Sequence, residues 1–123
     1  MNKSPRNPER EILHIQEEFG FDDSQLAQFK VSRDHHFEAV ESLRTKLNSS
    51  SESYYIADIG TEQRDSLNQV LIDLTQSIYR ANKLHFDDIR SICRPDQRDK
   101  IRPFIKRILN RGRHKRRKPR KKR

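Results

Sequence analysis

The side chains best suited to metal or acid–base chemistry in this 123-residue sequence are five histidines, one cysteine and a set of carboxylates. Neutral imidazole is a good ligand for Ni, Co, Cu or Zn, so the first question is which histidines a fold would bring together. His35 and His36 are adjacent, and neighbours on a helix diverge by about 100°. They do not chelate as a pair, and His36 is expected to pack on a helix seam. His14 and His85 are the stronger candidates. If two long helices fold back near residue 55, positions summing to about 110 lie level, which sets His85 opposite residue 25. A turn near residues 20–21 sets His14 level with about residue 27, so His14 and His85 converge at one end of the bundle. Glu17, Glu18 and Asp88 are the nearest groups that could bring such a site towards four ligands. The competing reading of the same residues is a partly buried pair of histidines satisfied by hydrogen bonds.

Cys93 admits two readings as well. At the start of a helix and beside Arg94 it would be a more reactive thiol; as a half-buried structural residue it would be inert. The sequence has no Gly-rich phosphate loop, no HExxH motif and no nucleophile with a base nearby, so a non-catalytic protein is expected.

These residues need elements to position them, and the pattern predicts helices. Asn7-Pro8-Glu9 is a helix start, with a capping side chain, Pro at the first helical position and an acid at the positive dipole end. This first helix runs to about Glu18, stops at Gly20, and buries Ile12, Leu13, Ile15 and Phe19. Asp22 and Gln25 make a capping box. Behind it Leu26, Phe29, Arg33, His36, Val40, Leu43 and Leu47 alternate three and four apart, with Phe37 widening the seam, which predicts a helix over 23–48. Asn48-Ser49-Ser50-Ser51 breaks it, and 49–60 reads as a polar connection ending at Gly60. A third helix starts near Thr61 with a seam of Leu67, Leu71, Leu74, Ile78, Ala81, His85 and Ile92, flanked by Val70, Leu84 and Ile89. Pro95 ends it near Cys93 and opens a fourth helix with Gln97 in its third position. That helix buries Ile101, Phe104, Ile105, Ile108 and Leu109 and ends at Gly112.

The fold class expected is all-α: a long antiparallel helical hairpin with short flanking helices, expected to be dimeric because a two-layer hairpin leaves an apolar face uncovered. Residues 1–7 are expected to be disordered, 8–110 to form the helical domain, and 111–123 to be a disordered tail. An apolar fraction of 31% and the absence of Trp suit a thin bundle better than a deep core.

The net charge of +9 belongs to the tail. Residues 111–123 carry ten of the 27 Lys and Arg and no acid, which leaves 17 basic against 18 acidic residues in the rest. Arg111, Arg113, Lys115, Arg116, Arg117, Lys118, Arg120, Lys121, Lys122 and Arg123 form the candidate polyanion-binding segment. Such a run repels itself and would pair with nucleic acid, anionic lipid or acidic protein; the competing reading is a solubilising tail without a specific partner. No aromatic is interleaved, so any nucleic-acid binding would be blind to sequence.

Two segments echo each other, Phe21-Asp22-Asp23-Ser24-Gln25 and Cys93-Arg94-Pro95-Asp96-Gln97. Together with Arg33-Asp34-His35-His36 and His85-Phe86-Asp87-Asp88-Ile89-Arg90, their order resembles the periplasmic heavy-metal sensor and resistance proteins of the CnrX type, related to the Spy, CpxP and ZraP chaperones. That family carries a Leu-Thr-x-x-Gln motif before each of two helices. Here Phe21 and Cys93 stand for the Leu, Asp22 and Arg94 for the Thr, and Gln25 and Gln97 match. The resemblance covers roughly residues 9–110. It implies a four-helix hooked hairpin, usually dimeric, facing the periplasm and acting by binding. The metal pairs that it implies, His-x-x-x-His and His-x-x-x-Met, become Arg10 with His14 and His85 with Ile89, so half the ligands are missing.

Two functions follow. One is a periplasmic stress protein, metal-sensing or chaperone-like, with a membrane-bound regulator or unfolded proteins as partners. The other is a cytosolic, nucleic-acid-associated helical dimer that uses its basic tail. No run of about 18 apolar residues is present to span a bilayer and no signal-peptide core is visible. The chain is therefore expected to be cytosolic, or a mature or truncated form that has lost its export segment. A single cysteine leaves the redox compartment open.

Overall fold

The computed structural model describes residues 8–116, with side chains described over 10–110. Among these residues there are four α-helices, a 3-10 helix and no strand: α1 Pro8–Phe19, α2 Asp23–Ile56, α3 Thr61–Ile92, the 3-10 helix Pro95–Lys100, and α4 Ile101–Arg116. The expected disorder of residues 1–7, Asn7 as a cap, and the tail cations Arg117, Lys118, Arg120, Lys121, Lys122 and Arg123 lie outside the described residues. So do the side chains of Arg111, Arg113, Lys115 and Arg116. The chain divides into two compact units, one of residues 1–28 and 89–123 and one of 29–88.

The first unit holds α1, the first turn of α2, the last turn of α3, the 3-10 helix and α4. α1 starts on Pro8, whose missing N–H costs nothing in a first turn. It ends on Gly20, which takes φ +74° and returns its N–H to the Gln16 carbonyl at 2.8 Å. That left-handed turn favours glycine. Ile12, Ile15 and Phe19 are buried as expected, whereas Leu13 is exposed. The core gathers on Phe19, stacked against Phe21 at a ring distance of 5.0 Å and met edge-on by Phe104 at 5.3 Å. Ile89, Cys93 and Ile101 are buried in the same unit, and Leu109 is exposed where it was expected inside.

The fourth predicted helix arrives in two pieces because of Pro103. An α-helix running from Pro95 would hold Pro103 in its interior, where it lacks the N–H and clashes with the preceding turn, at a cost of roughly 3 kcal/mol. The chain instead winds tightly as a 3-10 helix to Lys100 and restarts at Ile101, which leaves Pro103 in the first turn of α4. α4 then continues through Gly112, the expected stop, to Arg116.

The second unit is the two long helices packed together. α2 runs on through Asn48-Ser49-Ser50-Ser51 to Ile56, eight residues past the expected break. Asn and Ser each cost about 0.5 kcal/mol against Ala in a helix, far less than Gly or Pro, and neither Gly nor Pro occurs inside α2. The seam also persists, with Ser50, Ser51 and Tyr54 half-buried in register with Leu43 and Leu47. The connection shrinks to 57–60, and Gly60 starts α3 by accepting the Arg64 N–H at 2.9 Å. Phe37, Val70 and Leu84, expected to broaden the seam, are exposed.

Candidate functional site

The second unit contains a polar cluster inside its apolar seam. His85 on α3 is 8% exposed, and its Nδ1 lies 2.8 Å from the Ser32 Oγ of α2. Ser32 donates its one hydroxyl proton to Asp88 Oδ2 at 3.0 Å. Its oxygen must then accept from His85, so His85 carries its proton on Nδ1 and keeps a bare lone pair on Nε2. One step along, His36 Nε2 donates to Asn82 Oδ1 at 2.7 Å, and the His36 ring stacks on His85 with centroids 4.6 Å apart and planes 13° from parallel. Burial first, then the neighbouring His36 and Arg33, push the His85 pKa down from 6.5 to about 4 against the opposing pull of Asp88. At neutral pH the imidazole is uncharged.

These contacts correct the expected register. Ser32 meets His85 and His36 meets Asn82, so His85 stands opposite residue 32 and not residue 25. Stepping forward from Ser32 to His36 on α2 steps back from His85 to Asn82 on α3. The offset from expectation is about one heptad. A seam repeating every seven residues looks the same after a slip of seven, so only the turn, which sits at 57–60, sets the register.

The chemistry available is narrow. Ser, His and Asp are present, yet the carboxylate bonds the hydroxyl and the imidazole donates to it. A nucleophile needs the reverse order, with the carboxylate orienting the imidazole and the imidazole accepting the hydroxyl proton. Parallel stacked rings keep their lone pairs in parallel planes, so His36 and His85 do not close on one ion at the ~2 Å that a metal–nitrogen bond needs. Among the described residues no group of three or more His, Cys, Asp or Glu is arranged to hold a metal ion.

The other predicted ligands lie in the first unit. His14 is an exposed side chain whose Nε2 stands 3.8 Å from Glu18 Oε1, one turn on. Glu18 gives its second oxygen to the Arg107 guanidinium of α4, while Oε1 is buried and accepts no hydrogen bond. His14, Glu17, Glu18 and Arg107 line an open cleft of about 430 Å³. His14 thus keeps company with Glu17, Glu18 and Arg107, and His85 with Ser32, His36 and Asp88.

The two echoing segments meet in this first unit, and sequence reasoning did not foresee it. Gln25 and Gln97 are both buried. Gln25 Oε1 accepts the Asp22 N–H at 3.0 Å while Asp22 Oδ1 accepts the Gln25 N–H at 2.8 Å, completing the predicted capping box. Gln97 Oε1 likewise accepts the Arg94 N–H at 2.8 Å in the turn opened by Pro95. The amide nitrogens cross over. Gln25 Nε2 donates to Gln97 Oε1 at 2.7 Å and to the Ile92 carbonyl at 2.9 Å, and Gln97 Nε2 donates to the Gly20 carbonyl at 2.9 Å. Three elements of one half recur 72 positions later in the other: the carbonyls of Gly20 and Ile92, the N–H groups of Asp22 and Arg94, and the amides of Gln25 and Gln97. Arg94 departs from the pattern, since its guanidinium reaches Gln25 Oε1 at 3.3 Å and Asp22 at 3.5 Å.

Cys93, beside this knot, is buried, and burial raises its pKa against the opposing pull of Arg98 and Arg90. The inert reading of the thiol fits this setting; the more reactive one does not.

No family model, curated protein or solved structure matches this chain.

Proposed function

We propose that the protein is a non-catalytic binding protein built as a hooked antiparallel hairpin, acting as a dimeric, chaperone-like stress protein of the periplasm in the manner of the Spy and CpxP group. The observation that carries this reading is the reciprocal Gln25–Gln97 pair, which supports treating the two echoing segments as the paired motifs of that group. Exposed side chains supply a binding surface. Ile72 and Tyr79 on α3 and Phe37 on α2 are exposed, and each follows a seam residue by one position. In oppositely running helices those positions fall on the same face. Phe37 is 59% and Tyr79 71% exposed. The test is suppression of aggregation of a chemically unfolded client: the intact chain is expected to suppress it at near-stoichiometric ratio, and Phe37→Ser/Tyr79→Ser to lose most of that effect. No suppression by the intact chain removes the chaperone role.

The metal-sensing version has less behind it, because His14 and His85 have different partners and neither stands in a ready set of ligands. It calls for a partner chain to complete a site around the His85 Nε2 lone pair or the His14–Glu18 pair. Calorimetry with Ni, Co, Cu and Zn decides it: tight uptake that His85→Ala or His14→Ala abolishes would support sensing, and no uptake removes it.

The second reading, a nucleic-acid-associated dimer in the cytosol, is favoured by one observation. α4 carries helix through Gly112 into the basic segment, to Arg116, so the first of the tail cations stand on a regular element.

A further inference from the structure

The basic character of the chain begins before the tail. From Lys100 to Arg123 there is no Asp or Glu, and the fourteen Lys and Arg in that stretch include Arg102, Lys106 and Arg107 on the described part of α4. These three have different surroundings. Arg107 is engaged with Glu18 and fastens α4 to α1. Arg102 and Lys106 are exposed, and no ion pair to a described carboxylate engages either. At about 100° per residue, positions 102 and 106 fall about 40° from one another, on a side of α4 away from Ile101, Phe104 and Ile108. The Arg107 position lies about 100° from the Lys106 position, outside that stripe.

Resting on the second reading above, we infer that α4 is itself a phosphate-binding helix: Arg102 and Lys106 form a basic stripe that extends the tail's site onto the folded body and takes the backbone of duplex nucleic acid. Charge complementarity carries the ligand class, because a duplex presents one negative charge per ~1.7 Å and rewards an acid-free row of cations by counterion release. The packing argues against a lipid surface. An interfacial helix inserts an apolar face, and here that face is occupied: Ile101 and Phe104 are buried, Phe104 on Phe19, and of the large apolar side chains described on α4 only Leu109 is exposed. The anchor also matters for the mechanism. Cations on a helix held by Phe104 and by the Arg107–Glu18 pair keep their spacing, so they lose less freedom on binding than the same charges on a free chain. With no aromatic beside them, the contacts position the duplex and read no bases.

The experiment is fluorescence anisotropy of a labelled random-sequence 20-base-pair DNA duplex with the full chain, between 50 and 200 mM salt. Arg102→Gln/Lys106→Gln should lower the steepness of log affinity against log salt by roughly 1.8, from about 0.9 per phosphate contact, with its melting temperature unchanged. A control with the same loss of charge on α2, Lys30→Gln/Arg44→Gln, should leave the slope as it was. Deleting residues 117–123 should reduce the slope and leave a remainder that Arg102→Gln/Lys106→Gln lowers further by the same amount. An unchanged slope in the α4 variant overturns the inference while the tail-only reading stands. Tighter binding to phosphatidylglycerol vesicles than to duplex at equal salt overturns it in favour of lipid. Absence of duplex binding at 50 mM salt overturns both.

Discussion

Gln25 and Gln97 each close their own helix start with the side-chain oxygen and use the side-chain nitrogen on the opposite half, Gln25 on Ile92 and Gln97 on Gly20, while bonding one another at 2.7 Å. A buried amide has two acceptor and two donor positions to fill, and this arrangement fills most of them for both residues. Removing either one leaves the other with donors and acceptors that water does not reach.

Gln25→Ala and Gln97→Ala are therefore expected to cost on the order of 2–3 kcal/mol each, more than an ordinary hydrogen bond, because of the unpaired groups left behind. The double variant should cost clearly less than the sum, with a coupling of about 1 kcal/mol or more. Urea denaturation of the four proteins measures it. Strict additivity would show that the two amides act independently.

Acid should weaken the protein through His85. The folded-state pKa of about 4 lies below the ordinary 6.5, so between those values the unfolded chain binds a proton that the folded one refuses. Stability is fully present above pH 6.5 and is lost as pH falls through that window, by about 3 kcal/mol at its lower end. His85→Phe, which also removes the Ser32 contact, should lower stability at pH 7 yet flatten this dependence. Thermal melts of both proteins at pH 7.0, 5.5 and 4.5 give the comparison; parallel curves would remove His85 as the source.

The two described glycines of the turns should respond differently. At Gly20 a new Cβ finds room, its nearest neighbour being Gln97 Nε2 at 3.9 Å, but φ is +74°. Gly20→Ala should cost about 1 kcal/mol from backbone strain alone, and Gly20→Asn less. Gly60 has open space and no positive φ, so Gly60→Ala should be neutral or stabilising by up to about 1 kcal/mol. Equal losses at both would show that space, not backbone conformation, decides.

Among the described residues, Ile89 is the largest side chain with no exposure at all. Ile89→Ala should destabilise by roughly 2–5 kcal/mol and Ile89→Val by about 1 kcal/mol, whereas Phe37→Ser, on the open face, should stay within about 0.5 kcal/mol. Chemical denaturation distinguishes them; a Phe37→Ser loss as large as that of Ile89→Ala would place Phe37 in a covered interface.

Much of the fold was legible because its punctuation is chemical. Pro8, Gly20, the Asp22–Gln25 box, Gly60 and Pro95 each mark a boundary that the helices respect. Asn48-Ser49-Ser50-Ser51 misled because polar residues resemble a loop in composition, whereas only Gly, Pro or a lost seam ends a long helix, and none occurs there. Pro103 was the unused signal for the 3-10 segment. The candidate site was harder to read. Ser32 and Asn82, the partners of His85 and His36, carry no motif, and their pairing depends on a register that a heptad pattern repeats every seven residues. The echo between Gln25 and Gln97 was visible as two caps, and their meeting was not, since nothing in a cap names its partner 72 residues away.

That separation bears on how the protein reaches its structure. The hydrogen bonds of the glutamine knot join residues 67 to 77 apart in sequence, while the helices between them form from contacts within a turn or two. Closing so long a loop early carries an entropic cost of about 4 kcal/mol, which pairing of α2 with α3 would largely remove by shortening the path. The knot should close late, so variants at Gln25 and Gln97 should speed unfolding and leave the folding rate nearly unchanged.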